Sequence, residues 1–267
     1  MVFYINSIGS LQSITFGFHM NDKQPVSTAR TFVLVHGAFQ DSRAWAEVTP
    51  FLRSHGHAVV AVDLPGRAGD TTPFGSLTLN HHRDAVVAVV NAQPGRVVLV
   101  GHSFGGMTIS EVAERIPEKV DLLVYVAAYL PATGDGLQAL AATDHGSKFN
   151  QTNFVLSPDY TTASVSMGDA AMIFCDECTD AMKQRVVASL VNEPLPPMAD
   201  QSTVTAARFG AVRKVYIETT RDNAVSNQLQ KAMVAKTPVD TVLTINTGHV
   251  PFLSNARGLA SLLLGVA

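Results

Sequence analysis

Charge is scarce in this 267-residue sequence: only 15% of positions are Asp, Glu, Lys or Arg, and the formal net charge is −3. No run of lysines or arginines occurs, so the basic footprint that phosphates require is missing and nucleic acid is not expected as a partner. No apolar run approaches the roughly 20 residues needed to span a bilayer, and no membrane association is expected. Residues Met1 to Met20 are broken by Asn6, Ser7, Gly9, Ser10, Gln12 and Ser13, with no Lys or Arg before Lys23. That is not the pattern of a signal peptide, and the expected location is the cytoplasm. Residues 1–30 read as an N-terminal extension, within which Met20 is an alternative start.

Cysteine is nearly absent as well. The two that occur, Cys175 and Cys178, stand in a Cys-Asp-Glu-Cys spacing. A zinc site needs a second ligand pair, and the nearest histidine, His145, lies at no recognisable spacing. No metal or other cofactor is expected, and the cysteines read as two reduced thiols packed in a helical region.

What the sequence does have is apolar mass. Apolar residues make up 46% of it, enough for one large domain with a substantial core. Short apolar runs recur at Thr31–Val35, Ala58–Val62, Val97–Val100, Leu122–Ala127, Val215–Glu218 and Thr241–Ile245. They are apolar throughout rather than alternating, as strands buried on both faces are. Helix-length segments separate the first four, at Ala44–Ser54, Asn80–Asn91 and Phe104–Ile116, and Asn255–Val266 reads as a closing helix. Strands alternating with helices predict an α/β fold with a mostly parallel sheet covered on both faces.

The rhythm breaks at 131–208, which shows no clear strand. A structureless loop of that length is foreign to a compact domain, so the stretch reads as a helical cap inserted into a core formed by 31–130 and 209–267.

Gly101-His102-Ser103-Phe104-Gly105 fits the turn in which a nucleophilic serine leaves a strand and enters a helix. The pattern alone is weakly specific, but here a strand runs into it and a helix leaves it. A serine hydroxyl is barely ionised at neutral pH and needs a base. In chains that carry this turn, the partners follow the serine in the order acid, then histidine. His249 is the one histidine that follows at a suitable position, just after the last strand. Asp222 lies beyond the end of the strand Val215–Glu218 and is the expected acid. Glu218 inside that strand, Asp240 before the last strand and Asp63 after the second remain as rivals. Backbone N–H groups of Phe104 and of Ala38, in the loop after the first strand, are the expected oxyanion donors. His36 and His102 flank these positions and are expected to hydrogen-bond the loops.

On these residues the chain resembles the α/β-hydrolase superfamily, and within it the group of plant methylesterases, hydroxynitrile lyases and bacterial carboxylesterases. The resemblance runs from Thr31 to the C-terminus. Its carriers are Phe32-Val33-Leu34-Val35-His36-Gly37-Ala38, Asp63-Leu64-Pro65-Gly66, the segment Val100 to Met107, and Thr247 to Phe252. The group's pattern of an acid two residues before a small aliphatic position matches Asp222 and Ala224. The resemblance implies a serine carboxylesterase acting on small or hydrophobic esters, including bulky ones of the pyrethroid kind, through an acyl-enzyme. Two alternatives stand beside it: lyase-like C–C cleavage and ligand binding without turnover. The lyases resemble one another in a threonine where this chain has Gly37 and a lysine where it has Val250, and that departure favours the esterase. An intact nucleophile, base and acid argue against a pure receptor. A small-molecule ester is thus the expected partner, and a homodimer is compatible with the sequence. Phe149, Phe154, Tyr160, Met167, Met172, Phe174, Met198, Phe209 and Trp45 are the apolar candidates for lining a pocket or packing cap against sheet.

Overall fold

The computed structural model describes residues 29–67 and 69–267, so the extension expected at 1–30 lies almost wholly outside the described residues. Among the described residues, nine strands and ten α-helices follow in chain order. The strands are β1 (Thr31–Val35), β2 (Ala58–Val62), β3 (Val97–His102), β4 (Val120–Val126), β5 (Phe154–Leu156), β6 (Thr162–Val165), β7 (Glu193–Pro194), β8 (Lys214–Thr219) and β9 (Thr241–Ile245). The helices are α1 (Thr49–Ser54), α2 (Leu79–Asn91), α3 (Gly105–Arg115), α4 (Leu137–Ala142), α5 (Met167–Cys175), α6 (Asp180–Ser189), α7 (Pro196–Ala199), α8 (Asn227–Lys236), α9 (Pro251–Ser254) and α10 (Ala256–Val266).

Six strands form one sheet in the order β2-β1-β3-β4-β8-β9, with every pairing parallel. Burial on both faces explains the uninterrupted apolar runs: β3 and β8 are buried at every position. The two faces pack separate cores. Val33, Leu99, Leu123 and Tyr216 point to one, and Phe32, Val98, Val124 and Ile217 to the other. The chain runs outward from β1 to β2 and then returns to the other side of β1 as β3. At such a reversal the loops beyond the strand ends diverge and leave a crevice for a ligand.

The sheet begins two residues earlier in β4 than the apolar run suggests. Val97 pairs with Val120 and Val98 with Leu122, so Asp121 is an extra residue in a bulge. Its carboxylate meets Arg30 and Arg96, and that charge hides the strand's start in the sequence.

Two expectations need correction. The insertion between β4 and β8 is mixed rather than wholly helical, because β5, β6 and β7 pair antiparallel as a small sheet beside α4 to α7. Strands of two to four residues are too short to show an alternating pattern. Cys175 and Cys178 are joined in a disulfide rather than held as thiols, at a Cα–Cα distance of 5.2 Å that suits the bond. Among the described residues, no helix is long and apolar enough to cross a membrane.

Candidate active site

Ser103 follows β3 directly and has a φ of +50°, a left-handed backbone that a non-glycine residue adopts only when its surroundings hold it there. Here the neighbours do so. The Ser103 N–H donates to the Val126 carbonyl at 3.3 Å, and its carbonyl accepts from Tyr129 and Gly106 N–H groups, each at 3.0 Å. Small residues let the turn pack. A Cβ on Gly105 would stand 2.6 Å from the His36 carbonyl oxygen, and one on Gly101 would stand 2.8 Å from that of Gly105.

Gly37 has a similar reason. A side chain there would come within 2.7 Å of both His102 Nδ1 and Ser103 Cβ, so the loop after β1 approaches the serine turn only because this position is bare. That approach brings Ala38 and Phe104 to the wall of the same cavity as Ser103. Among the described residues, neither the Ala38 nor the Phe104 N–H has a partner within the protein. Phe104 also caps the N-terminus of α3, where the helix dipole favours negative charge.

His249 follows β9 and is buried. Its Nδ1–H donates to Asp222 Oδ2 at 2.8 Å. Asp222 is held in turn from several sides: Oδ1 accepts from the Ala224 and Val225 N–H groups at 2.8 and 2.9 Å, and Oδ2 accepts from Thr219 Oγ1 at 2.7 Å and Gln230 Nε2 at 3.3 Å. The carboxylate therefore cannot swing, and it fixes the ring with Nε2 unprotonated. Ser103 and His249 share the cavity wall without a direct hydrogen bond, and such bonds often tighten only when substrate is present.

The rival acids sit elsewhere. Asp240 accepts from the Lys214 N–H at 2.8 Å, at the opposite end of the strands. Asp63 accepts from the Ser42 N–H at 2.7 Å and ties the β1 loop to β2. Glu218 accepts from the Asn227 amide at 3.4 Å.

Both flanking histidines serve the loops. His36 donates from Nδ1 to the Gly37 carbonyl at 2.8 Å and accepts from the Leu64 N–H at Nε2. His102 donates from Nε2 to the His249 carbonyl at 2.7 Å, while its Nδ1 lies 3.1 Å from the Gln40 side-chain amide. Burial pushes the His36 pKa down to about 4, with the Arg67 charge acting in the same direction. Burial also lowers that of His102, aided by His249. The sign follows directly. Above pH 6.5 neither folded nor unfolded chain is protonated at His36, whereas between 6.5 and about 4 the unfolded chain alone takes the proton. Stability should therefore fall as pH drops through that window, by about 3 kcal/mol from His36 alone. Urea midpoints at pH 7.5 and 4.5 measure it, and equal midpoints would contradict the assignment of buried neutral imidazoles.

The cavity has a volume of about 770 Å³. Phe149, Phe154, Phe174 and Met198 line it, and Phe174 tilts toward His249 with ring centroids 5.7 Å apart. Trp45 packs instead on Phe252 in the core, and Phe209 is buried beneath Lys214. Tyr160, Met167 and Met172 are exposed on the insertion.

Sequence reasoning missed the residues that hold the loops. Glu177, in the disulfide-closed turn, accepts from the Gly248 N–H beside His249. Gln230 bonds Asp222 and Thr219 from α8. Glu193 and Arg67 grip the loop that carries Ala38. Glu177, Glu193 and Arg67 act across 27 or more residues of chain and Gln230 across 8 and 11, and no local pattern marks them.

A model of the alpha/beta hydrolase family matches residues 32–262. Methyl jasmonate esterase 1 of Vitis vinifera is 28% identical over 259 residues, which cover 88% of this chain and 95% of the relative. Methylesterase 1 of Arabidopsis thaliana is 28% identical over 88% and 95% of the two chains. The crystal structure of polyneuridine aldehyde esterase superimposes with a TM-score of 0.79 at 25% identity, covering 89% of this chain and 99% of the other.

Proposed function

The chain belongs to the alpha/beta hydrolase family, and from that membership we propose that it is a serine carboxylesterase of small or hydrophobic esters, with Ser103, His249 and Asp222 as its triad. One observation carries the reading: a serine on a left-handed turn, an Asp-held histidine and two N–H groups without a partner among the described residues meet at one largely apolar cavity. The relatives named as methylesterases and a methyl jasmonate esterase agree with it.

In the proposed reaction, His249 Nε2 takes the Ser103 proton as Oγ attacks the ester carbonyl. The tetrahedral oxyanion accepts from the Ala38 and Phe104 N–H groups, each donor contributing roughly 3–4 kcal/mol in the transition state. Asp222 stabilises the imidazolium, which then protonates the departing alkoxide. Water repeats the sequence on the acyl-enzyme and releases the acid. Phe39, Phe149, Phe154 and Phe174 offer apolar walls to the ester, while Asp144 and Asn150 at the lining supply polar contacts.

The competing lyase reading needs a cation near the base to hold a departing cyanide. Val250, buried after His249, has none to give. A panel of p-nitrophenyl esters of increasing acyl length, run beside mandelonitrile, tests the choice. Ester hydrolysis without cyanide release is expected. Fast cyanide release with every ester untouched would replace the esterase by a lyase.

A further inference from the structure

The loop that presents Ala38 is held by the insertion, through a buried ion pair. Phe39, the next residue, has a φ of +61°, a backbone that a bulky side chain disfavours and that persists only where neighbours impose it. Both of its peptide groups are bound by the segment around β7. Its N–H donates to Glu193 Oε2 at 2.7 Å, and its carbonyl accepts from the Val191 N–H at 3.0 Å. The same Glu193 oxygen pairs with the Arg67 guanidinium, whose Nε donates to the next carbonyl, that of Gln40, at 2.7 Å. Arg67 and Glu193 side chains are 3% and 1% exposed.

We infer that Glu193 and Arg67 are positioning residues for the oxyanion hole, locking Phe39 in its left-handed conformation so that the adjoining Ala38 N–H stays aimed at the reacting oxygen. The inference rests on the esterase reading and deepens it. A buried ion pair is weak support for a fold, since apolar residues of similar volume often replace one without loss. This pair, however, does what an apolar pair cannot: it binds the loop's N–H at residue 39 and its carbonyl at residue 40. The grip extends further, because the Gln40 side-chain amide lies beside His102 and His102 donates to the His249 carbonyl. Loss of the grip frees a peptide that costs nothing to reorganise only while it is held, and a displaced donor harms the transition state more than the bound ester.

The test uses the whole chain with p-nitrophenyl butyrate as substrate, a trifluoromethyl ketone as mimic of the tetrahedral adduct, and a fluorophosphonate that labels the active serine. Arg67→Met/Glu193→Leu removes both grips yet leaves no unpaired buried charge. Its kcat is expected to fall about 30- to 100-fold, with KM within about threefold and the ketone weakened in step with kcat. Glu193→Gln keeps an oxygen for the Phe39 N–H, so its kcat should stay within about threefold of wild type even where its Tm falls. A folded double variant with unchanged kcat overturns the inference. So does a loss confined to KM, or a Glu193→Gln enzyme as impaired as the double variant. If the wild type hydrolyses no ester and takes no label, the esterase reading falls and this inference with it, whereas an active, labelled wild type with an unaffected double variant overturns the inference alone.

Discussion

Replacing Ser103 by alanine is expected to lower kcat for ester hydrolysis by roughly 10³- to 10⁶-fold while leaving the fold intact. The expectation comes from the reaction's first bond. Without Oγ no acyl-enzyme forms, and what remains is water attacking an ester still polarised by the Ala38 and Phe104 N–H groups. The fold should tolerate the change because, among the described residues, the Ser103 side chain makes no hydrogen bond that organises the turn; its backbone does that, through Val126, Tyr129 and Gly106. Adding His249→Ala to Ser103→Ala should cost little more, since residues of one catalytic unit are not additive. Steady-state kinetics and a urea melt on the purified variants read both halves. A folded Ser103→Ala enzyme with more than a tenth of wild-type activity would remove Ser103 from the mechanism.

Asp222→Asn is expected to lower kcat by about 10⁴-fold. An amide at this position can offer its N–H₂ to His249, which turns the imidazole into the tautomer with its proton on Nε2, unable to accept from Ser103. The remaining contacts oppose any escape. The Ala224 and Val225 N–H groups require an acceptor at Oδ1, which leaves the new NH₂ at the atom that now faces His249, Thr219 and Gln230. Glu218→Gln serves as the comparison: Glu218 is buried within β8, where its carboxylate accepts from the Asn227 amide at 3.4 Å, so its kcat should change by less than about tenfold. The reverse ranking of the two variants would move the acid to Glu218.

The difference between these residues and Glu193 shows what a single sequence can reveal. The sheet was legible because burial on both faces fills its inner strands mostly with apolar residues, and each of the six apolar runs overlaps one of its six members, the exposed edge strand β9 included. Ser103 stood out because its turn needs glycines at fixed offsets, a demand written within five residues. His249 and Asp222 could be chosen by their places after β9 and β8, although the structure alone gives their 2.8 Å contact. Glu193 lies 126 residues from Arg67 and 154 from Phe39. It looks like any acidic residue before a proline-rich stretch, and only folding reveals it as buried. The small sheet of the insertion escaped because its strands are two to four residues long: β6 buries an apolar face of only two side chains, Ala163 and Val165, too few to stand out as a pattern. The Cys175–Cys178 bond joins the same class, since three-residue spacing admits a thiol pair, a metal or a disulfide alike.

Location on Ser103 of the covalent intermediate is the most direct test of the esterase account. Wild-type enzyme mixed with p-nitrophenyl butyrate, quenched in acid during the first turnover and digested, should yield the peptide containing Gly101 to Gly105 with the mass of one butyryl group added. The Ser103→Ala protein should yield it unmodified. Steady hydrolysis with no acyl adduct on that peptide, and equal hydrolysis by Ser103→Ala, would contradict the account.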